Sequence, residues 1–135
     1  MQRRPLDIAD VSDELLRELG LVRGYQTAEC YRCSDPGTEV VPLHKLLGSP
    51  SRWLNRADVA SILIGIRDGA AISPVVAFRE PGAEVATLLH GMHRCRASLA
   101  VGFRAVPAIL VSREEATDVY GYPDAQRGSK PFLSP

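Results

Sequence analysis

At 135 residues the chain has room for one domain with a proper hydrophobic core. Its 45% apolar fraction is ordinary for a globular protein, and its 16 basic and 16 acidic residues cancel. That balance argues against sequence-independent DNA binding through a strongly basic surface, and it provides no field that would draw the chain to a membrane.

In chain order, the first 24 residues, MQRRPLDIADVSDELLRELGLVRG, lack the continuous apolar run of a signal peptide. No later segment approaches the roughly 20 apolar residues of a bilayer span, so the expected location is cytoplasmic. Ser12 reads as the N-cap of a short helix, with Asp13 and Glu14 in its first turn and Gly20 at its end. Leu15, Leu16 and Leu19 form a narrow apolar stripe that must dock either on the domain or on a protein partner. The rest of residues 1–38 reads as an irregular arm, closed by the turn Ser34-Asp35-Pro36-Gly37. Within it Cys30 and Cys33 form a CxxC pair. A zinc site would need two further ligands, and the candidates His90, His93 and Cys95 match no standard zinc spacing. No strand precedes the pair as a thioredoxin-like motif requires, so reduced thiols and no metal site are expected.

Residues 39–120 alternate between strand and helix patterns. Glu39-Val40-Val41 reads as a strand, and Leu43 to Leu47 as either one helical turn or an extended segment. Asn55 caps a helix in which Val59, Ile62, Leu63 and Ile66 share one face, and Asp58 sits where a capping box places its acid. Asp58, Ser61, Gly65 and Asp68 form a second stripe. Strands follow at 75–78 and 85–89, then a helix from His93 to Val101 closed by Gly102, a strand at 106–111, and a closing helix at 112–120 with Ser112 and Glu115 as its cap pair. Residues 121–135, GYPDAQRGSKPFLSP, are rich in Gly, Pro and Ser and read as an irregular tail.

The turn Gly91-Met92-His93-Arg94 carries the clearest chemistry. Gly91 permits a sharp turn, and the next residues open a helix whose first N–H groups have no partner within it. Such a helix start favours a phosphate or carboxylate; Arg94 can add a two-pronged contact, and His93 can donate a hydrogen bond or transfer a proton. The same spacing also fits a plain strand–turn–helix with no ligand.

Taken in order, VPLHKLL, a helix ending in IRDG, SPVVAF, GMHRCRA and GFRAVPAILV resemble the ParB/sulfiredoxin family. Its members share a helix before a P-I-x-V-like strand, a turn of G-x-H-R or G-E-R-R type opening a helix, and a closing V-P-A strand. The resemblance spans about residues 39–120. It implies an α/β (α+β) fold, a small domain with a compact mixed sheet and helices packed on it. It also implies a nucleotide ligand (ATP, ADP or CTP) whose phosphates lie on Gly91, Met92, His93 and Arg94, with Ser61 matching a phosphate-facing serine.

Departures from the pattern matter. Sulfiredoxin places its reactive cysteine just before the His-Arg pair, where this chain has Met92, and a thioether supplies no thiolate. Cys95 is a poor stand-in, so sulfiredoxin activity is not expected. A partition protein needs a helix-turn-helix domain after the nucleotide domain, and only a short loop-like stretch follows Tyr120. Asp58 replaces a lysine; it either caps its helix or helps hold Mg²⁺ against the phosphates. The implied function is nucleotide binding at Gly91 to Arg94, with phosphoryl transfer or nucleotide hydrolysis as the reaction class if the protein is an enzyme. His93 and Arg94 are then the catalytic candidates, and Asp58, Asp68 and His90 the candidates for a base. The alternatives are a non-catalytic accessory module that binds DNA or a protein partner, for which Arg94, Arg96 and Arg104 would form a local basic patch, and a nuclease, for which no carboxylate–histidine cluster is evident.

Overall fold

A computed structural model describes residues 6–49 and 52–134. A two-residue strand, β1 (Asp7–Ile8), leads into α1 (Asp13–Glu18). The Ser12 hydroxyl accepts the Leu15 N–H at 3.1 Å, satisfying one of the donors a helix start leaves open. Leu15 and Leu16 are buried in the core and Leu19 packs against it. The stripe therefore docks on its own domain, and the surface that offered itself to a protein partner is covered.

The strand β2 (Glu39–Pro42) is followed by both forms expected of the next segment: a 3-10 turn at Leu43–Lys45, then β3 (Leu46–Gly48). After β4 (Leu54–Asn55), which pairs antiparallel with β1, comes α2 (Arg56–Arg67). Asn55 Oδ1 accepts the Asp58 N–H at 3.0 Å, and Val59, Leu63 and Ile66 are buried. The remaining elements are β5 (Val75–Phe78), β6 (Ala86–His90), α3 (Met92–Val101), β7 (Ala105–Leu110), α4 (Arg113–Tyr120) and β8 (Lys130–Pro131). Ser112 caps α4 through its hydroxyl, as read from the sequence.

Six strands form one mixed sheet in the order β2-β7-β5-β6-β3-β8. The β5–β7 and β3–β6 pairs are parallel; the others are antiparallel. The expectation of a small α/β domain with a mixed sheet and helices packed on it holds. The helix α3 packs on α2 and on β5 and β7. Its Ala97 and Ala100 are small enough to permit close approach, and both are buried.

The irregular tail is a correction. Residues 124–126 form a 3-10 turn, β8 pairs with β3, and Phe132 is buried in the core. The Phe132 ring lies directly on Gly48, where any side chain would overlap it. Tyr122 stacks edge-on against Phe78 at 4.9 Å, and its hydroxyl donates to Glu80. Two aromatic side chains thus moor a segment whose composition alone reads as disorder.

Candidate functional site

The strand β6 runs into α3 through Gly91, whose φ of 118° and ψ of 27° suit glycine. A methyl group there would sit 2.6 Å from Val75 Cγ1, so the position is closed by packing as well as by backbone conformation. No side chain among the described residues caps α3. Cys95 N–H is the first amide of the helix to find its partner, Gly91 C=O at 3.1 Å. The amides of Met92, His93 and Arg94 have no acceptor among the described residues. They open onto a pocket of about 420 Å³. Besides the turn itself, α2 contributes Asp58 and Ile62, the exit of β3 contributes Gly48, Ser49 and Arg52, and the tail contributes Ala125, Gln126 and Ser129.

Arg94 is half-buried and makes no hydrogen bond or ion pair within the described residues. That is unusual for a guanidinium partly withdrawn from water, because its five donors ordinarily find carboxylate or carbonyl partners. Arg52 is a second cation on the pocket, exposed and likewise free of an acceptor within the described residues. Its backbone is held by α3: Arg96, only 6% exposed, donates to Arg52 C=O at 3.3 Å, to Ala9 C=O at 3.1 Å and to Asp10 Oδ1 at 2.8 Å. Arg96 is therefore a structural tie, neutralised by Asp10. The basic patch of Arg94, Arg96 and Arg104 that would serve DNA loses its middle member.

His93 Nε2 accepts the Asn55 N–H at 2.9 Å. This bond requires Nε2 to be unprotonated, so the proton of the neutral ring sits on Nδ1. Burial holds the His93 pKa below its ordinary 6.5; Asp58 opposes that shift, and Arg52, Arg94 and Arg96 reinforce it. In this arrangement His93 is a hydrogen-bond donor through Nδ1, and its one acceptor nitrogen is occupied. Proton transfer through Nε2 would first require this bond to Asn55 to break. The same bond corrects the capping box: the Asn55 N–H that Asp58 would accept already goes to His93. Asp58 is left facing the pocket with no hydrogen bond or ion pair to its carboxylate among the described residues.

The linkage has a definite sign. A depressed His93 pKa stabilises the fold fully above about pH 6.5, and the contribution is lost as pH falls through the lower folded value. Thermal melts should therefore show a lower Tm on acidification below that point. His93→Gln keeps an acceptor for Asn55 but does not titrate, and the acid slope should flatten in it. An unchanged slope would assign the effect to other groups.

The other sequence candidates separate cleanly. Met92 and Gly91 border the pocket, and His90 does so from the end of β6. Ser61 is exposed on α2 and is not part of the pocket lining; Asp58 and Ile62 hold α2's places there. Asp68 is exposed and paired with Arg67 at 2.8 Å, away from the pocket. Cys95 is fully buried, and burial pushes its thiol well above the ordinary range, which suits a core side chain and not a nucleophile. Cys30 and Cys33 are free thiols, half-buried, and no metal-holding cluster of His, Cys, Asp and Glu occurs among the described residues. No helix there is long and apolar enough to cross a membrane. Sequence reasoning missed Arg52, Gln126 and Ser129. The first sits in GSPSRW, which reads only as a break, and Pro50 and Ser51 of that break lie outside the described residues.

No family model matches the chain, and no curated protein matches it in sequence. Among solved structures it is similar to the C-terminally truncated chromosome-partitioning protein ParB from Caulobacter crescentus, complexed with CTP-gamma-S, at a TM-score of 0.48 and 20% identity. The matched region covers 68% of this chain and 54% of that one, so the chain spans about half the length of that structure.

Proposed function

We propose that this domain binds a nucleoside di- or triphosphate, with its phosphates on the open N-terminus of α3 between Arg94 and Arg52. The observation that carries the reading is Arg94, a half-buried guanidinium without an acceptor among the described residues, set beside three amides that are likewise unpaired there, at the start of a ten-residue helix. An anion at that point satisfies all of these donors at once and meets the positive end of the helix dipole. The ordered motifs that resemble the ParB/sulfiredoxin family support a nucleotide as the anion, with CTP, ATP or ADP as the candidates.

The chemistry such a site can support is phosphoryl transfer or hydrolysis, driven by positioning and charge neutralisation. In this reading Arg94 and Arg52 neutralise phosphate oxygens and His93 Nδ1–H donates to one of them. Asp58 is the one carboxylate bordering the pocket among the described residues. Against phosphates it needs either a proton or a cation between, and Mg²⁺ is the cation that phosphates bring with them. A DNA-binding accessory role fits less well, because Arg96 is buried and paired.

A melting screen against ATP, ADP, CTP and GTP, each with and without Mg²⁺, tests the reading. A ligand at one hundred times its Kd should stabilise the fold by about 2.7 kcal/mol. Asp58→Asn should abolish the difference that Mg²⁺ makes while leaving metal-free binding as strong or stronger. No shift with any nucleotide would refute the proposal, and an Asp58→Asn protein with intact Mg²⁺ dependence would remove Asp58 from the metal's shell.

A further inference from the structure

The helix α3 acts on the pocket from two of its sides. Arg94, in its first turn, borders the pocket directly. Arg96 lies two residues on, roughly 200° around the helix, and is not part of the lining. Its buried guanidinium spans two other segments of the chain. Nη1 donates to Arg52 C=O at 3.3 Å, and Nη2 donates to Ala9 C=O at 3.1 Å and to Asp10 Oδ1 at 2.8 Å. Residue 52 is thus gripped at both of its backbone groups, because its N–H donates to Ser49 C=O at 3.0 Å. The side chain on that fixed backbone is the exposed Arg52 guanidinium, which borders the pocket and has no acceptor among the described residues.

A guanidinium leaves water only when its donors are met and its charge is opposed. Asp10 supplies the one carboxylate on Arg96 among the described residues, and it comes from the chain just after β1. Stability alone gives such a pair little reason, since apolar side chains of similar volume fill buried positions as well or better. What an apolar side chain cannot do is hold the Arg52 carbonyl at a fixed distance from α3.

We infer that Arg96 and Asp10 are positioning residues of the anion site: they hold the backbone of Arg52 against α3, so that its guanidinium meets the ligand's phosphates beside Arg94. The inference rests on the nucleotide reading above and adds to it the residues that set the second cation. One helix then fixes the geometry of both cations, Arg94 through its own backbone and Arg52 through Arg96. The confinement of Arg52 is settled when the chain folds and not when the ligand arrives, which strengthens binding.

The experiment measures Kd by calorimetry for inorganic tripolyphosphate, CTP and ATP, well below each Tm. The proteins are the full chain, Arg52→Ala, Arg96→Lys, Asp10→Ala, and the last two each combined with Arg52→Ala. Arg96→Lys keeps the charge, but one ammonium cannot span Arg52 and Asp10, and tripolyphosphate should bind about two- to tenfold more weakly. Asp10→Ala is the sharper case, because that side chain is 72% exposed and its removal opens no core cavity. Charge alone would make the loss of a carboxylate tighten anion binding. Release of Arg96, and with it Arg52, should weaken binding instead. Neither change should cost further affinity once Arg52 is alanine, since nothing is then left to position.

A second readout needs no ligand. Arg52 stands with Arg94 and Arg96 among the cations that hold the His93 pKa down, opposed by Asp58 of α2. Releasing Arg52 in Asp10→Ala should raise the His93 midpoint, whereas loss of a carboxylate by itself would lower it. Should Arg96→Lys not fold, Asp10→Ala and its double decide the matter alone. Losses that persist at full size in the Arg52→Ala background would make Arg96 and Asp10 structural only and overturn the inference, as would tighter or unchanged binding in Asp10→Ala. An Arg52→Ala protein that binds like wild type would also overturn it, while leaving Arg94 and the open helix end standing. Failure of wild type to bind tripolyphosphate or either nucleotide removes the site and its positioning residues together.

Discussion

Gly91→Ala should lower the melting temperature by about 10 °C and abolish phosphate binding in whatever fraction remains folded. Two terms add. A non-glycine residue held at φ 118° costs roughly 1–2 kcal/mol. The new methyl would also meet Val75 Cγ1 at 2.6 Å and Val75 Cβ at 2.8 Å, and overpacking of this kind costs roughly 1–3 kcal/mol. Val75 is fully buried in β5, so it cannot swing away, and relief must come from moving β6 or the first turn of α3. For a chain of this size about 3 kcal/mol corresponds to roughly that fall in Tm. The packing term can be probed: Val75→Ala in the Gly91→Ala background should recover part of the loss, because it removes the Cγ1 contact and leaves the Cβ contact and the backbone strain. Circular dichroism melts of the four proteins in that cycle give the coupling. A Gly91→Ala protein that melts with wild type would mean that the β6–α3 turn is not held as described.

How much of this was legible in the sequence depended on how local each cause was. Ser12, Asn55 and Ser112 all cap the helices they were read to cap, because a cap needs only its own chain three residues on. The Gly91 turn was legible for the same reason. Failures came where a partner lies far along the chain. The capping box at Asp58 fails because His93, 38 residues away, takes the Asn55 N–H. Arg96 reads as a surface cation, yet Asp10, 86 residues before it, allows it to be buried. The tail gave the largest surprise. Its ordered state depends on Phe132 finding Gly48 and on a two-residue strand, a signal too short to stand out against so much Gly, Pro and Ser. In the site, the Gly91 turn at the start of α3 was visible from its motif, whereas Arg52 and Gln126 enter from segments whose own sequence says only that the chain bends.

Arg94→Ala tests the anion site most directly. Its guanidinium has no acceptor within the described residues, so the folded protein should lose no hydrogen bond with it. A cation beside the positive end of α3 is itself unfavourable by a few tenths of a kcal/mol to about 1 kcal/mol, and the variant should melt at or slightly above wild type. Its effect on ligands should be large. A lost charged hydrogen bond costs roughly 1.5–3 kcal/mol, which is about ten- to a hundredfold in Kd. Tripolyphosphate, di- and triphosphates should all show that loss, and the bare nucleoside far less. A second readout needs no ligand. Arg94 is among the charges that hold the His93 pKa down, so its removal should raise the His93 titration midpoint, measured from the imidazole ring protons by NMR. Arg94→Lys should recover part of that electrostatic effect but not the two-pronged phosphate contact. A collapsed Tm with unchanged affinity per folded molecule would instead make Arg94 a structural residue, and the open end of α3 would then lose its claim to a phosphate.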